Sequence, residues 1–92
     1  MSTLLNQLAD DLRPEPRALY EIAEDIRRHW PKVNYAAVPY LEAMGGLLSI
    51  DDSFYLDSAK GIVLRFLSNA GSWRGEHARR IKAELKSMAG VK

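Results

Sequence analysis

Prolines and glycines divide this chain into short segments, and that division limits its fold more than any other feature. The breaks fall at Pro14 and Pro16, Trp30-Pro31, Gly45-Gly46 and Gly71. Proline removes a backbone donor and clashes with the preceding turn, and glycine commonly ends helices. The sequence therefore excludes one long helix or a coiled coil. Helices that fit between the breaks are short, so they need to pack on one another.

Apolar residues recur at helical spacing of three and four between the breaks. The segment from Pro16 to His29 is one helix, a segment capped by Asp57 or Ser58 is another, and the stripe from Trp73 to Met88, with Ser72 as its cap, is a third. We predict an all-α, single-domain orthogonal bundle of four to five helices over residues 1–92, with a loosely packed N-terminal helix in 1–15 and a frayed tail at 89–92. The predicted core residues are Leu19, Ile22, Ile26, Leu41, Ile62, Val63, Phe66, Trp73, Ile81 and Leu85.

The middle of the chain has a weaker pattern. Pro39 lies inside the helical segment 34–44, so this helix either starts late or kinks. Gly45-Gly46 is expected to end it, because glycine reaches the left-handed conformation freely. For residues 47–57 we predict a short helical turn near Asp51, since a strand at 53–56 has no obvious partner strand. Gly61 predicts a close approach of two helices, because glycine inside a helix costs about 1 kcal/mol relative to alanine.

The residue types give little support for catalysis or metal binding. The chain has no cysteine, and its two histidines, His29 and His77, have no ligand spacing. His77 falls on an apolar stripe, where a core or boundary histidine is the more common outcome. Neither a nucleophile elbow nor a glycine-rich phosphate loop is present. We therefore predict a protein that is not an enzyme, with no catalytic, cofactor or metal site.

The sequence also lacks the patterns of a membrane protein. No apolar run approaches the roughly 18–20 residues that cross a bilayer, and the N-terminus has neither the basic start nor the apolar stretch of a signal peptide. Together with the absence of cysteine, this predicts a cytoplasmic protein without a membrane partner.

Aromatic residues concentrate in the middle of the chain. If several of them are exposed, they form the kind of anchor patch that dominates protein interfaces. The leading hypothesis is a non-enzymatic protein–protein interaction module, with a homodimer as one form of it. For any single ring, a place at the edge of the core stays open as the alternative. The candidate partner-binding residues are Trp30, Tyr35, Tyr40, Phe54 and Tyr55.

The C-terminal segment is the basic part of the chain. Residues 70–92 carry six basic and two acidic side chains, although the whole chain has a net charge of only +1. Two helices joined by a glycine-containing turn, the second of them basic, outline a helix-turn-helix, so a nucleic-acid-binding regulator is the alternative function. A solvated helix face remains the simpler interpretation. The residues for the alternative are Arg74, Arg79, Arg80, Lys82 and Lys86.

Two stretches, from Asn34 to Met44 and from Phe66 to Glu76, resemble small uncharacterised proteins of actinobacteria and their phages. The resemblance covers roughly the C-terminal two thirds of the chain. It implies a cytoplasmic helical protein, of the kind that serves a phage as an accessory product acting on a host partner. It brings no catalytic residues to transfer.

Overall fold

A computed structural model describes residues 17–91 of the chain. The N-terminal helix expected in residues 1–15 and the last residue, Lys92, lie outside this stretch. The described residues are mostly helical, with a small two-stranded antiparallel sheet. The elements in chain order are α1 (Leu19–His29), α2 (Val38–Met44), β1 (Ser53–Phe54), β2 (Asp57–Ser58), α3 (Ala59–Ser68) and α4 (Glu76–Met88).

The helices enclose one apolar core, and all ten core residues predicted from the sequence are buried in it. Helix α2 packs against α1 and α3, and α4 also packs against α1 and α3. Each helix buries one stripe, as the spacing of three and four residues requires. The predominantly helical class is thus confirmed.

Backbone groups from a distant loop cap the start of α1. The amides of Leu19 and Tyr20 donate to the carbonyls of Leu48 and Leu47, each at 3.0 Å. Ala18 at the cap position offers no side-chain acceptor, so these two amides would otherwise lack a partner. The residues after α2 are therefore tied to the N-terminus of α1, although almost thirty residues separate them in sequence.

At two helix starts the sequence left two alternatives open, and the structure shows one of them. Ser58 caps α3 by accepting from the amide of Gly61 at 3.0 Å. Helix α2 begins at Val38, so Pro39 lies in its first turn, where the missing amide costs nothing, and the helix starts late.

The predicted end of α2 at Gly45-Gly46 is confirmed, although Gly45 is in the right-handed region, with φ −62°. Two expectations about the other helices were wrong. A Cβ on Gly61 would lie 3.2 Å from the hydroxyl of Ser58, so this glycine accommodates its own cap and not a second helix. Helix α4 begins at Glu76, because Gly75 has φ 110°, which interrupts the helix and leaves Trp73 in the preceding loop.

Near Asp51 the chain makes a single hydrogen-bonded turn and no helix, in which the amide of Asp52 donates to the carbonyl of Ser49 at 3.1 Å. Residues 53–58 then form a β-hairpin that was not predicted. Ser53 pairs with Ser58 and Phe54 pairs with Asp57, which leaves Tyr55 and Leu56 as the connecting turn. The partner strand, Asp57–Ser58, was not predicted because two residues are too few to show an alternating pattern.

The aspartate before this hairpin holds its base together. The carboxylate of Asp52 accepts from the amides of Leu48 and Ser49 at 2.9 and 3.2 Å. Its carbonyl accepts from the amide of Ala59 at 2.8 Å. Asp52 thus joins the loop after α2 to the start of α3, which fixes the place of the hairpin between them.

The end of α4 is closed by backbone hydrogen bonds. The amide of Val91 donates to the carbonyl of Lys86 at 2.8 Å, and the amide of Gly90 donates to that of Ser87 at 3.2 Å. Gly90 has φ 76°, which completes a Schellman cap, and Ala89 is buried. Residues 89–91 therefore differ from the frayed tail that the sequence suggested.

Candidate functional site

Tyr55 and Leu56, at the turn of the hairpin, are the most exposed large apolar side chains of the described residues, and Phe54 precedes them in β1. We call Phe54, Tyr55 and Leu56 the hairpin tip. Their exposed fractions are 37%, 89% and 102%. The rings of Phe54 and Tyr55 meet edge to face, with 4.8 Å between centroids. A single exposed apolar residue is ordinary, but consecutive exposed apolar side chains form a patch, which marks a candidate contact surface.

The backbone at the hairpin tip is also unusual. Tyr55 has φ 57°, the one residue other than glycine in the described stretch with a left-handed conformation. Two-residue hairpin turns favour Asn-Gly and related pairs, because those residues reach positive φ easily. A bulky residue in this conformation costs roughly 1–2 kcal/mol. The turn therefore combines a strained backbone with solvated apolar side chains, and neither feature stabilises the isolated chain.

Two of the predicted partner-binding residues, Trp30 and Tyr40, pack in or against the core and are not part of the hairpin tip. Trp30 is 7% exposed, because its ring stacks on Trp73 at 5.3 Å and meets Phe66 edge to face at 6.2 Å. The indole nitrogen of Trp73 donates to the carbonyl of His29 at 3.3 Å, which locks the stack. Tyr40 is partly buried against the same core. Both rings belong to the core and its edge.

Tyr35 is exposed but lies far from the hairpin tip. The side-chain amide of its neighbour Asn34 donates to the carbonyl of Asn69, at the C-terminal end of α3, at 3.2 Å. The hairpin directly precedes the N-terminal end of the same helix. Ten helical residues span about 15 Å, so Tyr35 and Tyr55 lie at opposite ends of α3. The five predicted aromatics thus do not form one patch.

Leu56 is the contact candidate that sequence reasoning missed. It directly follows Tyr55 and precedes the acidic Asp57, outside every helical stripe. An apolar residue outside every helical stripe can indicate an exposed position. Here that indication required the two-residue strands on either side of the turn, and these were not predicted.

A charged cluster joins α1 to α4. We call it the Asp25 cluster. The carboxylate of Asp25 accepts from Arg17 at 3.0 Å and from Arg80 at 3.1 Å, and lies 2.9 Å from the Nδ1 atom of His29. Arg17 also donates twice to Glu84, at 2.9 and 2.7 Å. The members of the cluster are Arg17, Asp25, His29, His77, Arg80 and Glu84.

The two arginines hold Asp25 in its charged form. Burial of the carboxyl raises its pKa, but the hydrogen bonds and charges of Arg80 and Arg17 outweigh burial and lower the pKa of Asp25 from 3.8 to about 2. The hydrogen bond to Glu84 raises the pKa of Arg17 above its usual value. These pKa shifts describe a structural ion-pair network, and each of these four side chains has its partners.

The two histidines meet at the edge of this cluster. The rings of His29 and His77 stack with 3.7 Å between centroids, and Arg80 lies 3.1 Å from the Nδ1 atom of His77. His77 is exposed, so its predicted place in the core or at its boundary was wrong. Among residues 17–91, no group of three or more histidine, cysteine or acidic side chains is arranged to hold a metal ion.

Of the five basic residues predicted to bind nucleic acid, two have protein partners within residues 17–91 and three do not. Arg80 pairs with Asp25 in the Asp25 cluster. Lys82 donates to the carbonyl of Trp73 at 2.6 Å. Arg74, Arg79 and Lys86 are exposed.

The connection between α3 and α4 does not have helix-turn-helix geometry. It comprises the seven residues 69–75, whereas a helix-turn-helix has a turn of about three to four residues. The buried Trp73 occupies this connection, which holds α4 away from the short-turn arrangement. The helix-turn-helix outline is therefore wrong for this pair of helices.

The chain matches no known protein family, no curated protein and no solved structure. Within the described residues, none of the helices has the length and apolarity needed to cross a bilayer.

Proposed function

We propose that this chain is a non-enzymatic protein–protein interaction module that inserts its hairpin tip into an apolar pocket of a different protein. The observation that carries the proposal is the turn itself, where Tyr55 in a left-handed conformation and Leu56 are almost fully exposed. A partner that buries both side chains would offset the cost of holding them in water on a strained turn.

The charges around the hairpin tip indicate the kind of pocket that it fits. Asp51 is exposed just before the hairpin, and Asp57 directly follows the tip. The carboxylate of Asp57 lies 3.3 Å from Arg65, but both side chains are more than half exposed, so this carboxylate remains accessible. The matching pocket is apolar at its centre and carries cationic groups at its rim, because complementary charges set orientation and partner choice.

The size of the hairpin tip makes it an anchor and not a whole interface. Full burial of a leucine contributes about 1.5–3 kcal/mol, and Tyr55 contributes a similar amount. Association costs at least about 4 kcal/mol in lost rotational and translational freedom. Neighbouring surface must therefore contribute as well, as in interfaces where a few central residues dominate the binding energy.

Several finer expectations from the sequence belong to this proposal. They are the orthogonal crossing of the helices, the cytoplasmic location, and a role as a phage-type accessory protein that acts on a host partner. The last of these follows from the resemblance at residues 34–44 and 66–76. A homodimer is the competing form of the interaction, and the experiment below separates it from a different partner.

The test compares the hairpin tip with an equally exposed tyrosine elsewhere. Tyr55→Ser together with Leu56→Ser removes the tip, and Tyr35→Ser at the far end of α3 is the matched control. Each immobilised protein is exposed to cell extract, and captured proteins are quantified. We expect a protein retained by the unchanged chain and by the Tyr35 variant, but reduced at least tenfold by the double variant.

Two outcomes would contradict the proposal. Capture of the same proteins by all three chains would show that the hairpin tip binds nothing. Sedimentation equilibrium at twice the chain mass, lost in the double variant, would make the occupant a second copy and not a different protein.

A further inference from the structure

The two flanks of α4 differ in charge pairing. One flank carries charges that are paired with residues in or just before α1, and the other carries cations. At 100° per residue, His77, Arg80 and Glu84 fall on the flank that meets α1, where the Asp25 cluster pairs the charges of Arg80 and Glu84. On the other flank, Arg79 and Lys82 lie with Lys86 within about 60° of one another. The buried Ala78, Ile81 and Leu85 lie between the two flanks.

Arg74 completes the second flank, which we call the basic flank (Arg74, Arg79, Lys82 and Lys86). Lys82 is tied to the carbonyl of Trp73 at 2.6 Å, directly beside Arg74 in sequence. Burial lowers the pKa of Lys82, and the charges of Lys86 and Arg74 lower it further, so each of these two cations lies close enough to Lys82 to repel it.

The charges of the basic flank are not compensated by the part of the chain from Arg17 to Val91. The ion pairs found there use Arg17, His29, Arg65 and Arg80 as their cations. No carboxylate of these residues forms an ion pair with the four cations of the flank. A row of clustered cations without acidic partners attracts a polyanion, because bringing negative charge to it relieves the repulsion.

We infer that the basic flank of α4 binds the phosphate backbone of double-stranded nucleic acid without sequence preference. The flank carries no aromatic side chain, so it offers nothing on which the bases of a single strand could stack. It also carries no large apolar side chain, which insertion into an anionic membrane surface would require. Arg79, Lys82 and Lys86 lie in a row along roughly two turns of α4, with Arg74 in the loop before the helix, and this row fits a regular row of phosphates.

The basic flank and the hairpin tip are separate surfaces built from different residues. Nucleic-acid binding therefore does not depend on the function proposed above. The one can fail in experiment while the other holds.

Salt dependence gives the sharpest test, because each neutralised phosphate releases counterions. The probe is a fluorescent 20-base-pair DNA duplex, followed by anisotropy between 50 and 200 mM salt. With three to four contacts, the slope of log K against log salt is about −2.7 to −3.6, so affinity falls about 40- to 150-fold over this range.

The critical variant replaces two exposed cations of the flank, Arg79→Gln with Lys86→Gln. It removes two contacts, so affinity should fall only about 4- to 12-fold over the same salt range and be weaker throughout. Arg27→Gln with Arg28→Gln is the matched control, because it removes the same charge from exposed positions on α1. The control should keep the original slope. Circular dichroism establishes that both variants are folded.

Three results would overturn the inference. The first is the absence of duplex binding at 50 mM salt. The second is an equal loss in both variants, which would show a general charge effect. The third is displacement of the duplex by polyglutamate at equal charge concentration, which would assign the flank to an acidic protein.

Discussion

Replacing Asp25 by asparagine tests whether the Asp25 cluster holds α1 against α4. Asp25 is 8% exposed and lies between Arg17 and Arg80. Asparagine has nearly the same shape but no charge, so the change isolates the electrostatic contribution. We expect the folded state to be destabilised at neutral pH, because the two arginines lose the carboxylate that they share.

The magnitude follows from the pKa of Asp25. A folded pKa of about 2 against an ordinary value of 3.8 corresponds to about 2.4 kcal/mol of folding stability at pH 7, since each unit of pKa difference contributes about 1.36 kcal/mol. Because the side chain of Arg80 is 46% exposed, solvent screening weakens its share. We therefore expect Asp25→Asn to lower the free energy of unfolding by about 1–2 kcal/mol.

The effect of Asp25→Asn on stability should decrease as the pH falls. The folded pKa lies below the unfolded one, so the stabilisation by Asp25 is fully present above about pH 5 and is lost as the pH falls through 3.8 towards 2. By pH 3 the difference between the two proteins should shrink to about one half of its value at pH 7.

Urea denaturation at pH 7, 5 and 3, followed by circular dichroism, measures this difference. Glu24→Gln is the matched control, since Glu24 is exposed on the same helix and should change stability by less than about 0.5 kcal/mol. A difference between Asp25→Asn and the unchanged chain that stays constant from pH 7 to pH 3 would refute the electrostatic reasoning.

Three further predictions concern the turn, the tryptophan stack and a glycine. Tyr55→Gly should raise the free energy of unfolding by about 1 kcal/mol in urea denaturation, because it relieves the left-handed strain, and a decrease would contradict the strain. Trp30→Ala should cost about 3–5 kcal/mol and abolish the near-ultraviolet dichroism of the stacked indoles, whereas an intact signal would argue against the stack. Gly75→Ala should cost about 1–2 kcal/mol because φ is 110°, while Gly71→Ala, with open space around it and no positive φ, should be nearly neutral; equal costs would refute this.

The helical core could be predicted from the sequence because its signal is local. The stripes of Leu19, Ile22 and Ile26 in α1 and of Ile81 and Leu85 in α4 repeat at the period of a helix, and a face that repeats in this way must be buried. The cap at Ser58 and the late start of α2 at Pro39 depend only on neighbouring residues, so the sequence narrowed each to two alternatives.

The candidate contact surfaces depended on contacts between residues distant in sequence. Trp30 and Tyr55 look equivalent in the sequence, yet Trp73, 43 positions beyond Trp30, buries the first, while a two-residue strand exposes the second. Arg80 and Arg79 are adjacent, yet one faces Asp25 and the other faces solvent.

The sequence by itself determined which segments form helices and which face of each is apolar, although it did not determine where α4 begins. Only the tertiary structure decided which aromatic rings stay exposed and which cations remain without a carboxylate. The physical reason is that periodicity is a property of neighbouring residues, whereas exposure and charge pairing depend on which other segment packs against each face.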